Sequence, residues 1–62
     1  MKLIQTPNLP DHDSFYEALL AKQRGLSERD VLVFNSQLIM ILANHIGDNE
    51  VLSEAMDLAA AP

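Results

Sequence analysis

The sequence predicts a small all-α protein of three helices, preceded by an extended N-terminal arm. Three observations support this fold class: capping residues precede three segments of helical apolar spacing, glycines follow two of them, and no proline interrupts any of them. Because start signals, spacing and stop signals agree, each segment is predicted to be a helix. Within a single domain, 1–62, we expect the arm over 1–10 and helices over 11–24, 28–46 and 49–60.

The arm contains two prolines. Proline lacks a backbone N–H and keeps the preceding residue out of the helical region, so this segment is predicted to be extended. Helix 1 has several capping candidates at its start, including Asp11, and the pair Ser14 and Glu17 fits a capping box. Gly25 is expected to end the helix in the left-handed conformation.

The central helix, helix 2, has the clearest local signals in the chain. Ser27 is placed to cap its start and Gly47 to end it, which gives a helix about 28 Å long. Asp48 then caps helix 3. The β-branched residues also permit a strand over 38–43, but the capping residues at both ends favour the helix.

Helix 2 is apolar over more than half of its circumference. One stripe on the helical wheel consists of Val31, Phe34, Leu38, Ile41, Leu42 and His45. A second stripe, roughly 130° away, consists of Leu32, Ile39, Ala43 and Ile46. A surface helix in a monomer needs an apolar stripe of only about 100°. If each neighbouring helix covers one stripe, Val33 and Met40 still remain exposed.

This excess predicts that the chain pairs with another polypeptide, as a homodimer or on a larger protein. The expected interface residues are Val33, Phe34, Asn35, Leu38, Met40 and Ile41. The alternative is a monomeric three-helix core with a few exposed aliphatic side chains. Size favours pairing, because a chain of 62 residues without cysteine has no disulfide to add to a small core.

Composition argues against several other classes of protein. A net charge of −5 with four Lys and Arg residues argues against nucleic-acid binding. The longest apolar run, 38–43, is far shorter than a membrane span, and the N-terminus lacks the apolar core of a signal peptide, so a cytoplasmic location is expected. His12 and His45 lack metal-ligand spacing, and the acids beside His12 suit a helix start, so we expect no metal and no cofactor.

Three polar residues of helix 2 are candidates for a function: Asn35, Asn44 and His45. Asn35 lies between apolar positions, where it bonds either across an interface or to a nearby loop. His45 is near the helix C-terminus, where it serves either as an acid–base group or as a cap. No nucleophile has a base at a fixed spacing, so we expect no enzyme.

The main functional hypothesis is therefore a small interaction or accessory protein. The alternative is a small-ligand-binding module built around Asn35, Asn44 and His45. A third hypothesis, an acidic mimic on a basic protein surface, needs the nine carboxylates on one face. They are spread over the helix starts instead, so this hypothesis ranks last.

Several short runs resemble a family of short bacterial proteins filed as a domain of unknown function. These runs are residues 6–11, 15–19, 25–27 and 42–48, followed by Val51 and Leu52. The most specific is Asn-His-Ile-Gly-Asp at 44–48, with Asn35 nine residues before Asn44. The resemblance extends from about Leu3 to Leu58 and implies no activity. Genes for such proteins often neighbour those for flavin-dependent aromatic hydroxylases and related catabolic enzymes, which implies an accessory role beside such an enzyme.

Overall fold

The computed structural model describes residues 2–62, which form three α-helices and no strand. The helices are α1 (His12–Gln23), α2 (Glu28–Ile46) and α3 (Asn49–Ala60). The predicted all-α class is therefore confirmed, including a central helix over 28–46. Residues 2–10 form neither helix nor strand, and the first position of the predicted arm, Met1, lies outside the described residues.

Helix α1 begins at an aspartate cap. One oxygen of the Asp11 carboxylate accepts a hydrogen bond of 3.0 Å from the Ser14 backbone N–H, and the other accepts one of 2.8 Å from the Ser14 hydroxyl. The predicted capping box that starts at Ser14 is therefore wrong, because Ser14 already lies inside the first turn. At the other end, Gly25 has a φ of 84° and turns the chain towards α2.

The two ends of α2 match the local signals in the sequence. The Ser27 hydroxyl accepts a hydrogen bond of 3.1 Å from the Asp30 backbone N–H. Gly47 ends the helix at a φ of 66° and donates its N–H to the Ala43 carbonyl at 2.9 Å. Asp48 then accepts hydrogen bonds from the first N–H groups of α3. Only Gly47 and Asp48 separate α2 from α3, and both have non-helical backbone angles, so the helical path is interrupted there; we call this junction the corner.

The helices bury little of one another. Within residues 2–62, Val51 at 6% exposure is the one fully buried apolar side chain. The half-buried residues are Leu3, Leu19, Gln23, Val31, Phe34, Asn35, Leu38, Ala43, Asp48, Leu52 and Ala55. The chain exposes 5700 Å², whereas a folded monomer of this mass usually exposes about 4,000 Å². Its radius of gyration of 13.3 Å also exceeds the roughly 11 Å expected for this length.

Candidate interaction surface

Helix α1 covers only one part of α2. The two helices share an apolar groove lined by Phe15, Ala18, Leu19, Lys22, Phe34 and Leu38. Phe34 and Leu38 belong to the first predicted stripe and are half-buried, whereas Ile41 in the same stripe is exposed. The reason is length: α1 has 12 residues against 19 in α2, so it is roughly 10 Å shorter.

The six predicted interface residues fall into two groups. Phe34, Asn35 and Leu38 are half-buried within the chain itself, and so have only part of their surface left for a partner. The exposed group consists of Val33, Met40 and Ile41. Met40 and Ile41 line a shallow open depression together with Ser36 and Gln37. The interface therefore stays a prediction, and the exposed group is the part of it open to a partner.

Asn35 makes a specific contact within the chain. Its side-chain oxygen accepts a hydrogen bond of 2.7 Å from the side-chain amide of Gln23, the last residue of α1. Both side chains are half-buried. The bond joins the end of α1 to the second turn of α2, so the side-chain oxygen of Asn35 has a structural role within the chain.

Asn44 and His45 are both exposed near the end of α2. The helix does not bring Asn44 and Asn35 together: nine positions at about 100° each place them on opposite sides of the helix, roughly 13 Å apart along its axis. Asn35, Asn44 and His45 line neither the groove between α1 and α2, nor the depression beside Met40, nor a third depression on α1 between Ser14 and Arg24. The geometry thus gives a ligand no common point of contact with all three.

The second predicted stripe of α2 contains a seven-residue repeat that the helical wheel did not single out. Leu32, Ile39 and Ile46 recur every seven residues, and Leu42 lies three residues after Ile39 and four before Ile46. This is the spacing of the a and d positions in a coiled coil, except that the d position between Leu32 and Ile39 is Asn35, which is half-buried and bonded to Gln23. All four side chains are exposed, with Leu32 at 67% and Ile39 at 63%. We call these four residues the heptad seam.

The sequence did hold a signal for the heptad seam. The helical wheel groups Leu32, Ile39 and Ile46 in the second predicted stripe, and their seven-residue recurrence is visible in the printed sequence. What the wheel could not show is that Leu32, Ile39 and Ile46 remain exposed while Ala43 of the same stripe is half-buried. That depends on how the helices cross, which is set by contacts distant in sequence.

Six of the nine carboxylates lie at the helix starts, as caps or in the first turns. Hydrogen bonds from the Ser14 backbone N–H and hydroxyl lower the pKa of the Asp11 carboxyl. The first turns of the helices carry Asp13, Glu28, Asp30 and Glu50, where carboxylates complement the helix dipole. His12 Nδ1 lies 3.3 Å from an oxygen of Asp13, with both side chains largely in solvent. Over residues 2–62, no three His, Asp or Glu side chains are grouped as a metal ion would require.

None of the three helices in the described part of the chain combines the length and apolar character that a membrane span requires. The fold and surface define a small three-helix protein whose central helix is largely exposed. The chain belongs to the family described as "Protein of unknown function (DUF2783)", whose model matches residues 3–61. No curated protein and no solved structure matches it.

Proposed function

We propose that this chain is a helical protein-interaction module that self-associates as a homodimer and serves as an accessory partner of a bacterial, cytoplasmic catabolic enzyme, without catalysing a reaction itself. The observation that carries this proposal is the apolar surface left exposed on α2. The exposed large side chains of that helix are Leu32, Val33, Ile39, Met40, Ile41, Leu42 and Ile46. Contiguous apolar surface of this kind is typical of interaction sites.

The exposed area fits the size of a dimer interface. The chain exposes 5700 Å², about 1,700 Å² more than a typical monomer of its mass. A standard interface takes roughly 800 Å² from each partner, and an obligate homodimer takes about 1,000 Å² or more. An interface of about 1,000 Å² on each chain would therefore remove more than half of this excess.

The net charge of the chain and the structural roles of Gly47 and Asp48 favour a protein as the partner. A net charge of −5 opposes binding to phosphate backbones. Two residues of the run at 44–48 have structural roles, because Gly47 ends α2 and Asp48 caps α3. We therefore assign this run to the shape of the corner rather than to chemistry. The catabolic enzyme itself enters the proposal through the family resemblance alone.

Size-exclusion chromatography with light scattering tests the self-association. At micromolar concentration we expect a mass twice that of the 6.9 kDa chain, with dissociation on dilution. If the protein stays monomeric and does not enhance the fluorescence of an apolar dye, the homodimer is removed from the proposal.

The accessory role needs a separate experiment. A tagged chain is used to capture partners from a native bacterial lysate, and the bound proteins are identified by mass spectrometry. We expect a catabolic enzyme in near-stoichiometric amount, and its loss when Val33 and Met40, both exposed on α2, are changed to lysine. Recovery of only the chain itself would remove the accessory role and leave self-association intact.

A further inference from the structure

We propose that the second copy docks along the heptad seam, with Ile39 of the two chains in contact at a two-fold axis. This inference rests on the proposed self-association and states which surface performs it. The heptad seam extends from Leu32 to Ile46, which is roughly 21 Å of helix. It lies about 100° around α2 from the Val33 and Met40 side, so the two surfaces are distinct.

The charge distribution favours a second copy on this surface. Two chains of net charge −5 repel each other wherever their carboxylates approach. Residues 31–47 are the longest stretch of the chain that contains no Asp, Glu, Lys or Arg, and the heptad seam lies entirely within it. Antiparallel pairing here brings uncharged surfaces together and keeps the acidic starts of the two α2 helices, Glu28 and Asp30, at opposite ends of the interface.

The exposed apolar residues of α3 are less suited to a second copy. Met56 and Leu58 are exposed there, but Glu54 lies four residues before Leu58 and so on the same face of the helix. A two-fold contact through α3 would therefore bring like charges together, which is destabilising. By contrast, the heptad seam is flanked on one side by the small side chains of Ser36, which is exposed, and Ala43, which is half-buried. Small side chains allow a second helix to approach closely.

The heptad seam also has the symmetry that a two-fold interface needs. Such an interface uses the same patch on both subunits, so the patch must match itself. Ile39 lies seven residues after Leu32 and seven before Ile46. Two seams that overlap fully therefore bring Ile39 against Ile39, whether the helices run parallel or antiparallel.

Cysteine cross-linking tests this contact cleanly, because the chain contains no cysteine of its own. Helices packed about 8–10 Å apart, with Cα atoms at a radius of about 2.3 Å, bring facing Cα atoms to roughly 3.5–5.5 Å. This overlaps the range of about 4.4–6.8 Å that a disulfide requires. Under mild oxidation we expect Ile39→Cys to form covalent dimers nearly completely.

Met40→Cys is the matched control, because Met40 is the next residue and equally exposed, at 68% against 63%. It faces about 100° away and should cross-link only slowly, through random collisions. Equal cross-linking of the two variants, or faster cross-linking of Met40→Cys, would overturn the proposed contact.

A charge substitution tests the energetics. Ile39→Lys places a cation at the axis in both chains, and each change should weaken association by a factor of about 30, or roughly a thousand-fold together. Met40→Lys adds the same charge beside the seam and should leave a dimer. Lysine lowers the net negative charge, so loss of the dimer does not result from greater repulsion between the net charges of the two chains.

The outcomes separate this inference from the proposed function. A monomeric wild-type chain would overturn both. A wild-type dimer that survives Ile39→Lys, with no preferential cross-link at Ile39→Cys, would overturn the heptad seam and leave self-association standing. If Ile39→Lys unfolds when it dissociates, the two cysteine variants alone decide the question.

Discussion

Asn35 and Gln23 show how a polar residue inside an apolar helix is used by the fold. The hydrogen bond between their side chains is 2.7 Å long and half-buried. The apolar groove between α1 and α2 holds the two helices together, and this polar contact adds a specific bond between them. A typical hydrogen bond contributes about 0.5–1.5 kcal/mol to stability.

A double-mutant cycle measures this contact. Gln23→Ala and Asn35→Ala should each destabilise the protein, and the double variant should lose less than the sum, with a coupling energy of roughly 0.5–1.5 kcal/mol. Urea unfolding at one fixed protein concentration gives the values. Gln37→Ala, on the exposed surface of α2, controls for helix propensity. Strict additivity of the two changes would show that the bond does not stabilise the fold.

At the scale of the helices, Gly47 makes the corner between α2 and α3 possible. Its φ of 66° lies in the left-handed region, which costs other residues roughly 1–2 kcal/mol. Space is not the constraint, since an added Cβ would meet the Asn44 carbonyl oxygen at 3.8 Å, an ordinary contact distance. Backbone conformation alone therefore explains glycine at this position.

We expect Gly47→Ala to lower the free energy of unfolding by about 1–2 kcal/mol. Gly47→Asn should lower it less, because asparagine tolerates the left-handed conformation better than alanine does. Thermal or urea unfolding of both variants at one protein concentration checks the order. Equal losses for the two substitutions would point to a cause other than the backbone angle.

The helix ends show what the sequence could predict. Ser27 and Gly47 bound α2 through local chemistry, a hydroxyl acceptor and a positive φ, so reading the residues sufficed. At α1 several possible capping residues lie within four positions. The carboxylate of Asp11 accepts two hydrogen bonds from Ser14, which the capping-box pattern did not predict. The sequence could not predict that Ile39 and its neighbours remain exposed, because this depends on how the helices cross.

For the molecule as a whole, an acidic surface and an uncharged seam act in opposite directions on self-association. Each chain carries a net charge of −5, and its shorter dimensions are 27 and 25 Å. Two such charges about 25 Å apart repel by roughly 4 kcal/mol in unscreened water. The apolar contact must exceed this repulsion before a dimer forms, so ionic strength should control the dimer population.

We therefore expect added sodium chloride to tighten self-association. The Debye length falls from about 30 Å at 0.01 M to about 10 Å at 0.1 M, which should reduce the repulsion enough for a roughly tenfold gain in affinity. Sedimentation equilibrium across this range measures the dissociation constant. Met40→Lys, with a net charge of −4 obtained by adding one cation to −5, should show a smaller salt dependence. An affinity that falls with salt would mean that ion pairs between the chains hold the dimer, which the uncharged heptad seam does not provide.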